Sequence, residues 1–395
     1  MKPVLINNGT VMSIKREIER YDERDNVQAR HELVPGSPEW EEYYQAHPKL
    51  KDIDRAQHDL PGALGLGAPA DIKAFVSMLS YLGPLGHENM VDGPVAPEKL
   101  EMTPARAAEK VKGFGNFLGA AMVRIGPLNQ AYVYSHKGRT YHRPGDGEPK
   151  VGTPIDLPHQ NAIVLGEGLD HEIIKGTPKK PIILEVFRAY SKLGQMAVIL
   201  ARYIRSLGYP ARAHIVTNYQ LIVPPVAIDA GVGELGRHGV LISKEFGSAM
   251  KMAVVTTDLP MAHDEKANLG VDDICMHCKI CAENCPSGAI SFGEKQVVRG
   301  VLRYPFKAEA CFKIWNETGT DCGVCIGCCP YSKPPSLHHA LGLWLAARGG
   351  KFPSVFLVWM ERIIYGDHSP GDQLHPKWME EPPPVWKKYY FGRRK

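Results

Sequence analysis

The chain has 395 residues, 44% of them hydrophobic, enough for one large core with appendages or for two to three domains of ordinary size. Charged residues make up 23%, and 47 Lys+Arg against 43 Asp+Glu leave a formal +4, too balanced and too dilute to signal nucleic-acid binding. A wholly disordered chain is excluded, and the most apolar run, Phe352 to Met360, is about half the length of a membrane span and contains Pro353.

Met1 to Met12 carries neither a basic-then-apolar signal peptide nor a twin-arginine pair, so the expectation is a cytoplasmic protein. Residues 1–100 are rich in Pro, Gly and charge and read as an irregular N-terminal wrapping segment, with helical pieces at Ser37 to Gln45 and Ala70 to Leu82. Thr103-Pro104 predicts a helix start, with Val111, Phe114, Phe117 and Leu118 at helical spacing and Gly119 as the stop. Ala121 to Gly126 and Ala162 to Leu165 are short apolar runs between turn residues, which predicts buried strands.

The strongest helix is predicted between Pro181 and Gly208, with Val186, Leu193, Leu200 and Leu207 on one face. Ala211 to Thr217 and Leu221 to Ile228 read as two further strands. The glycine-rich stretch Gly231 to Gly239 superficially resembles a dinucleotide fingerprint, but its glycine intervals are wrong and no βαβ unit follows. The chain ends in Pro382 to Pro384, Trp386, Tyr389 and Tyr390, which read as a packed C-terminal wrap. Strand and helix character alternate over residues 101–270, giving an α+β or α/β core.

All nine cysteines fall between Cys275 and Cys329, a clustering that suits a local metal site and not a dispersed disulfide framework. The first run, Cys275-x2-Cys278-x2-Cys281-x3-Cys285-Pro286, has bacterial ferredoxin spacing, in which three thiolates hold one cubane and the fourth turns to a second. The second run is Cys311-x10-Cys322-x2-Cys325-x2-Cys328-Cys329-Pro330. The crossing rule predicts one [4Fe-4S] cluster on Cys275, Cys278, Cys281 and Cys329, and another on Cys285, Cys311, Cys322 and Cys325. Cys328 is left over; it could exchange roles with Cys329, but the proline after Cys329 favours the latter. Structural zinc also uses C-x2-C pairs, usually set apart by longer spacers. Two clusters in series carry single electrons, so the chemistry belongs to a partner or to a cofactor held by the first 270 residues.

In Ala201-Arg-Tyr-Ile-Arg-Ser-Leu-Gly-Tyr209, Pro225 to Arg237, Gly239 to Ile242, Thr257-Asp-Leu-Pro260 and both cysteine runs, the chain resembles the corrinoid iron–sulfur reductive dehalogenases. Epoxyqueuosine reductase, a tRNA-modifying relative with the same cofactors, is the competing resemblance. The family implies a nitroreductase-like cobalamin-binding catalytic core at 101–270, a ferredoxin-like two-cluster module at 271–335 and a C-terminal wrap at 336–395. It also implies a base-off cobalamin, and no Asp-x-His-x-x-Gly motif for an axial histidine occurs in the chain.

By the same resemblance Tyr190 is the proton donor above cobalt and Asn218 the polar residue beside it. The third catalytic position, usually arginine, is Lys251. Lysine can still stabilise charge developing on a phenol, but it lacks the planar fork of guanidinium. The implied reaction replaces halogen by hydrogen on a small organohalide, with electrons from an external low-potential donor such as ferredoxin or flavodoxin. A tRNA epoxide substrate would need a basic face, which the charge balance does not supply, so no nucleic-acid partner is expected.

Overall fold

The structure, a computed structural model, describes residues 13–14, 19–62, 69–139, 150–178, 181–334 and 336–366, with the backbone alone at 13–14, 69–72 and 181. The aromatic and proline-rich features from Pro382 to Tyr390 lie outside the described residues.

A four-stranded antiparallel sheet forms the centre, in the spatial order Met122–Pro127, Asn161–Gly168, Met250–Thr257, Ala211–His214. Alternation along each strand sends Val123, Ile125, Ile163, Leu165, Ala253 and Val255 to one face, where they pack against the helix Pro181–Ser206. That helix buries Leu193, Ala197, Leu200 and Ile204, spaced to form one stripe. At about 1.5 to 3 kcal/mol for each large apolar side chain withdrawn from water, this stripe anchors the core. Met122, Ala162, Val164 and Val254 face the other way and are covered by the helix Val223–Asp229.

Three elements depart from expectation. Leu221 to Ile228 is largely a helix, not a strand: Pro224 and Pro225 sit in its first turn, where a missing N–H leaves no bond unmade. Met250–Thr257, the strand between Asn161–Gly168 and Ala211–His214, was not anticipated, because Lys251 interrupts its apolar pattern. The first hundred residues are mostly helical where described, in Val27–Glu32, Pro38–Ala46, Pro48–His58 and Pro69–Leu85. Pro38 and Pro48 stand at helix starts while Pro84 lies inside Pro69–Leu85, and the Asn26 and Ser37 side chains accept from the N–H groups of Gln28 and Trp40.

This N-terminal segment contacts the helix Ala308–Thr318. Buried Arg30 pairs with buried Asp54 at 2.7 Å and reaches Glu309 at 3.0 Å, and Gln57 accepts from Asn316 at 3.1 Å. Gly231–Gly239 carries no nucleotide-type turn; Gly233–Leu235 pairs with Leu241–Ser243 in a hairpin. Two glycines bring the cysteine-rich region against its neighbours. Gly247 has φ +55° and a Cβ there would lie 2.1 Å from the Tyr331 carbonyl; at Gly270, φ +68°, it would lie 1.9 Å from that of Ala346.

Candidate active site

Short helices and turns present the cysteines. Cys275 lies on Val271–His277, Cys281 on Ile280–Glu283, Cys311 on Ala308–Thr318 and Cys325 on Val324–Gly327, with Cys278 and Cys328 at helix C-caps. Left-handed Gly319 and Gly323 turn the chain around Cys322. Two groups of thiols result. Burial pushes Cys275 up, with Cys278 and Cys329 adding to it, and Cys281 is raised by burial and then by Cys329, Cys275 and Cys278. Burial likewise raises Cys311 to about 12, helped by Cys322 and Cys285, and raises Cys325, with Cys328, Cys311, Cys322 and Cys285 beside it. Cys328 stands between the groups, and its thiol donates to the Cys325 carbonyl at 3.8 Å.

Hydrogen-bond donors surround these sulfurs. Burial opposes ionisation of Cys285, but the Ser287 hydroxyl and the N–H groups of Ala289, Ser287 and Ile290 pull its thiol below the ordinary value. The Arg237 N–H donates to Cys275 Sγ at 3.4 Å. Its buried guanidinium donates to the carbonyls of Cys275, Ser291 and Gly293 at 2.7 to 3.0 Å, and stacks 3.9 Å from the Tyr304 ring centroid. Sequence reasoning did not single out Arg237; its signal was an arginine among glycines shortly before the first cysteine run.

The structure brings Tyr190 and Lys251 together. Tyr190 lies on Pro181–Ser206, and Lys251 lies on the strand beneath, paired in register with Glu167. The Lys251 ammonium is 5.5 Å from the Tyr190 ring centroid. Among the described residues the Tyr190 hydroxyl has no hydrogen-bond partner and Lys251 no ion pair, although both side chains are only half-buried. Phe187 packs edge-on against Tyr190 at 5.9 Å. Asp321, next to Cys322, was also missed by sequence reasoning; burial raises its carboxyl, and Lys251 is the cation that counters the rise.

Asn218 is placed differently. It is buried, its amide donates to the Gly86 carbonyl at 2.8 Å and to Glu88 Oε1 at 3.0 Å, and its oxygen accepts from Arg212 at 3.2 Å. Both amide hydrogens are thus engaged within the protein. Among the described contacts it touches neither Tyr190 nor Lys251.

Residues 274–333 match the family model of the 4Fe-4S dicluster domain. Over the wider chain, the tetrachloroethene reductive dehalogenase of Desulfitobacterium hafniense is 30% identical across 274 residues, covering 59% of this chain and 49% of the relative. That of Sulfurospirillum multivorans is 28% identical over 258 residues, 58% of this chain and 51% of the relative. A solved catabolic reductive dehalogenase in complex with 3-bromo-4-hydroxybenzoic acid superimposes with a TM-score of 0.71 at 24% identity, over 92% of this chain and 48% of that one. The chain is thus similar in sequence to reductive dehalogenases and has the fold of the solved one. It spans about half the length of the curated reductive dehalogenases named here. An epoxyqueuosine reductase of Lactococcus garvieae is 27% identical over a shorter stretch of 158 residues, 37% of this chain and 41% of the relative.

Proposed function

We propose that this chain is a cobalamin-dependent reductive dehalogenase that replaces halogen by hydrogen on a small organohalide. The observation that carries the reading is the Tyr190–Lys251 pair, a phenol with no hydrogen-bond partner and an ammonium with no ion pair among the described residues, on the side of the core where Asp321 precedes Cys322 of the second cysteine group. Polar groups left open in this way fit a cofactor and substrate that the chain itself does not supply. The division into a core at 101–270 and a cluster module at 271–335 belongs to the same proposal.

In this reading Cys275, Cys278, Cys281 and Cys329 hold one [4Fe-4S] cluster and Cys285, Cys311, Cys322 and Cys325 the other. Cobalamin, when bound base-off, supplies the low-potential cobalt chemistry that breaks the carbon–halogen bond. Tyr190 Oη holds the proton that replaces the halide, and Lys251 stabilises the negative charge left on the phenol. Asn218 acts as a positioning residue through Glu88 and Arg212, since its own amide is spent on protein partners. Electrons come from a low-potential ferredoxin or flavodoxin.

Replacing Tyr190 by Phe tests the assignment. Halide release should fall by at least about a hundredfold, the usual scale of a lost general acid, with iron and cobalt contents unchanged. Undiminished halide release at full cofactor loading would remove Tyr190 from the reaction.

A further inference from the structure

The C-terminal helices Leu337–Ala346 and Lys351–Tyr365 have two unlike faces. Their inner faces, through Leu343, Ala346, Leu357 and Val358, pack onto Ile274 and the first cysteine group. Their outer faces are apolar and open: Leu337, Trp344, Phe352 and Trp359 are 92%, 51%, 88% and 56% exposed, and Leu341 and Phe356 lie between them. The spacing Leu337, Leu341, Trp344 on one helix and Phe352, Phe356, Trp359 on the other makes a stripe at helical period on each. Scattered apolar side chains on a surface need no explanation, but a contiguous face of this kind marks a binding surface.

We propose that this face docks on an anionic lipid leaflet, lying in the interface without spanning it. No helix among the described residues is long and apolar enough to cross a membrane, and the 15 residues of Lys351–Tyr365 would reach only about 22 Å against a hydrocarbon core of about 30 Å. Two tryptophans on the open face suit the headgroup boundary, where an apolar ring and a polar N–H are both accommodated. The charge matches as well. Arg348, stacked 3.2 Å from the Trp344 ring centroid, and Lys351 flank the stripes, and Arg362 is occupied by Glu283 at 2.8 Å. The sole carboxylate of residues 336–366, Glu361, is buried beside Lys333 at 3.3 Å. Of the carboxylates near this face, Glu283 is paired with Arg362 and Asp273 accepts from the Gly350 N–H at 2.7 Å, so Arg348 and Lys351 remain the side-chain charges flanking the stripes, complementary to anionic headgroups.

The test is flotation of the full cluster-loaded chain with vesicles of phosphatidylcholine containing about a third phosphatidylglycerol, against pure phosphatidylcholine. The chain should float with the anionic vesicles and less with the neutral ones. Phe356→Glu with Trp359→Glu should lower partitioning about a hundredfold, and Arg348→Glu with Lys351→Glu about tenfold, selectively on anionic vesicles. All four side chains point outward, so iron content and far-UV circular dichroism should match the parent. Chain left unfloated by anionic vesicles overturns the proposal, and a dimer abolished by the same variants would assign the face to a second copy. Equal binding to both vesicle types overturns the anionic assignment.

Discussion

Glu88 is the point at which the network around Asn218 can be broken with a calculable effect. Its carboxylate accepts from Arg212 at 2.6 and 3.1 Å and from Asn218 at 3.0 Å, with Lys137 Nζ at 3.5 Å. Arg212 and Lys137 are themselves 4% and 5% exposed. Burial alone would raise the carboxyl, but the hydrogen bonds and charge of Arg212, then Asn218 and Lys137, hold it at about 2. A depression of that size corresponds to about 3 kcal/mol, the same scale as stranding a buried cation. Glu88→Gln should therefore lower the urea midpoint at pH 7 by about 1 M, taking about 3 kcal/mol/M as the slope for a chain of this size. Because the folded-state pKa is depressed, the stabilisation is complete above the unfolded value near 4.5 and disappears as pH falls towards 2. The gap between parent and variant, followed by circular dichroism on cluster-loaded protein, should stay constant from pH 7 to pH 5 and narrow below about 4.5. A midpoint shift under about 0.3 M, or a gap that already closes above pH 5, would refute the reasoning.

Three further outcomes follow from the cysteine-rich region. Arg237→Met removes a buried cation beside Cys275 and should make the midpoint of the adjacent cluster about 50 to 100 mV more negative in an EPR-monitored redox titration; an unchanged or raised midpoint would deny Arg237 this role. Cys328→Ser should keep about eight iron atoms per chain while Cys329→Ser loses about half, and the reverse pattern would exchange the two residues. Gly270→Ala meets both a left-handed backbone and the Ala346 carbonyl, so it should cost about 2 to 4 kcal/mol and expose the C-terminal helices to limited proteolysis; an unaltered cleavage pattern would contradict that contact.

The cysteine chemistry was legible because cluster ligation depends on local spacing: three thiols at intervals of three and a Cys-Pro ending are readable without knowing the fold. The helix Pro181–Ser206 was legible for a similar reason, its period of apolar side chains being a local signal. What escaped depends on partners distant in sequence. Lys251 was named as a position in a pattern, but only the sheet shows it paired in register with Glu167 with Tyr190 above it. Arg237 gains its meaning only from carbonyls 38 to 56 residues away. Asn218 was recognised as a position in a pattern, but sequence could not reveal that Gly86, Glu88 and Arg212 would consume its hydrogen bonds. Prolines misled in the N-terminal region because the same residue that breaks a helix interior opens a helix well.

Metal stoichiometry after anaerobic reconstitution with cobalamin, followed in the same sample by halide release from halogenated phenols and alkanes, tests the proposed function most directly. About eight iron, one cobalt and released halide per active chain are expected. About eight iron with no cobalt bound would contradict it and leave a two-cluster electron carrier whose core serves another ligand.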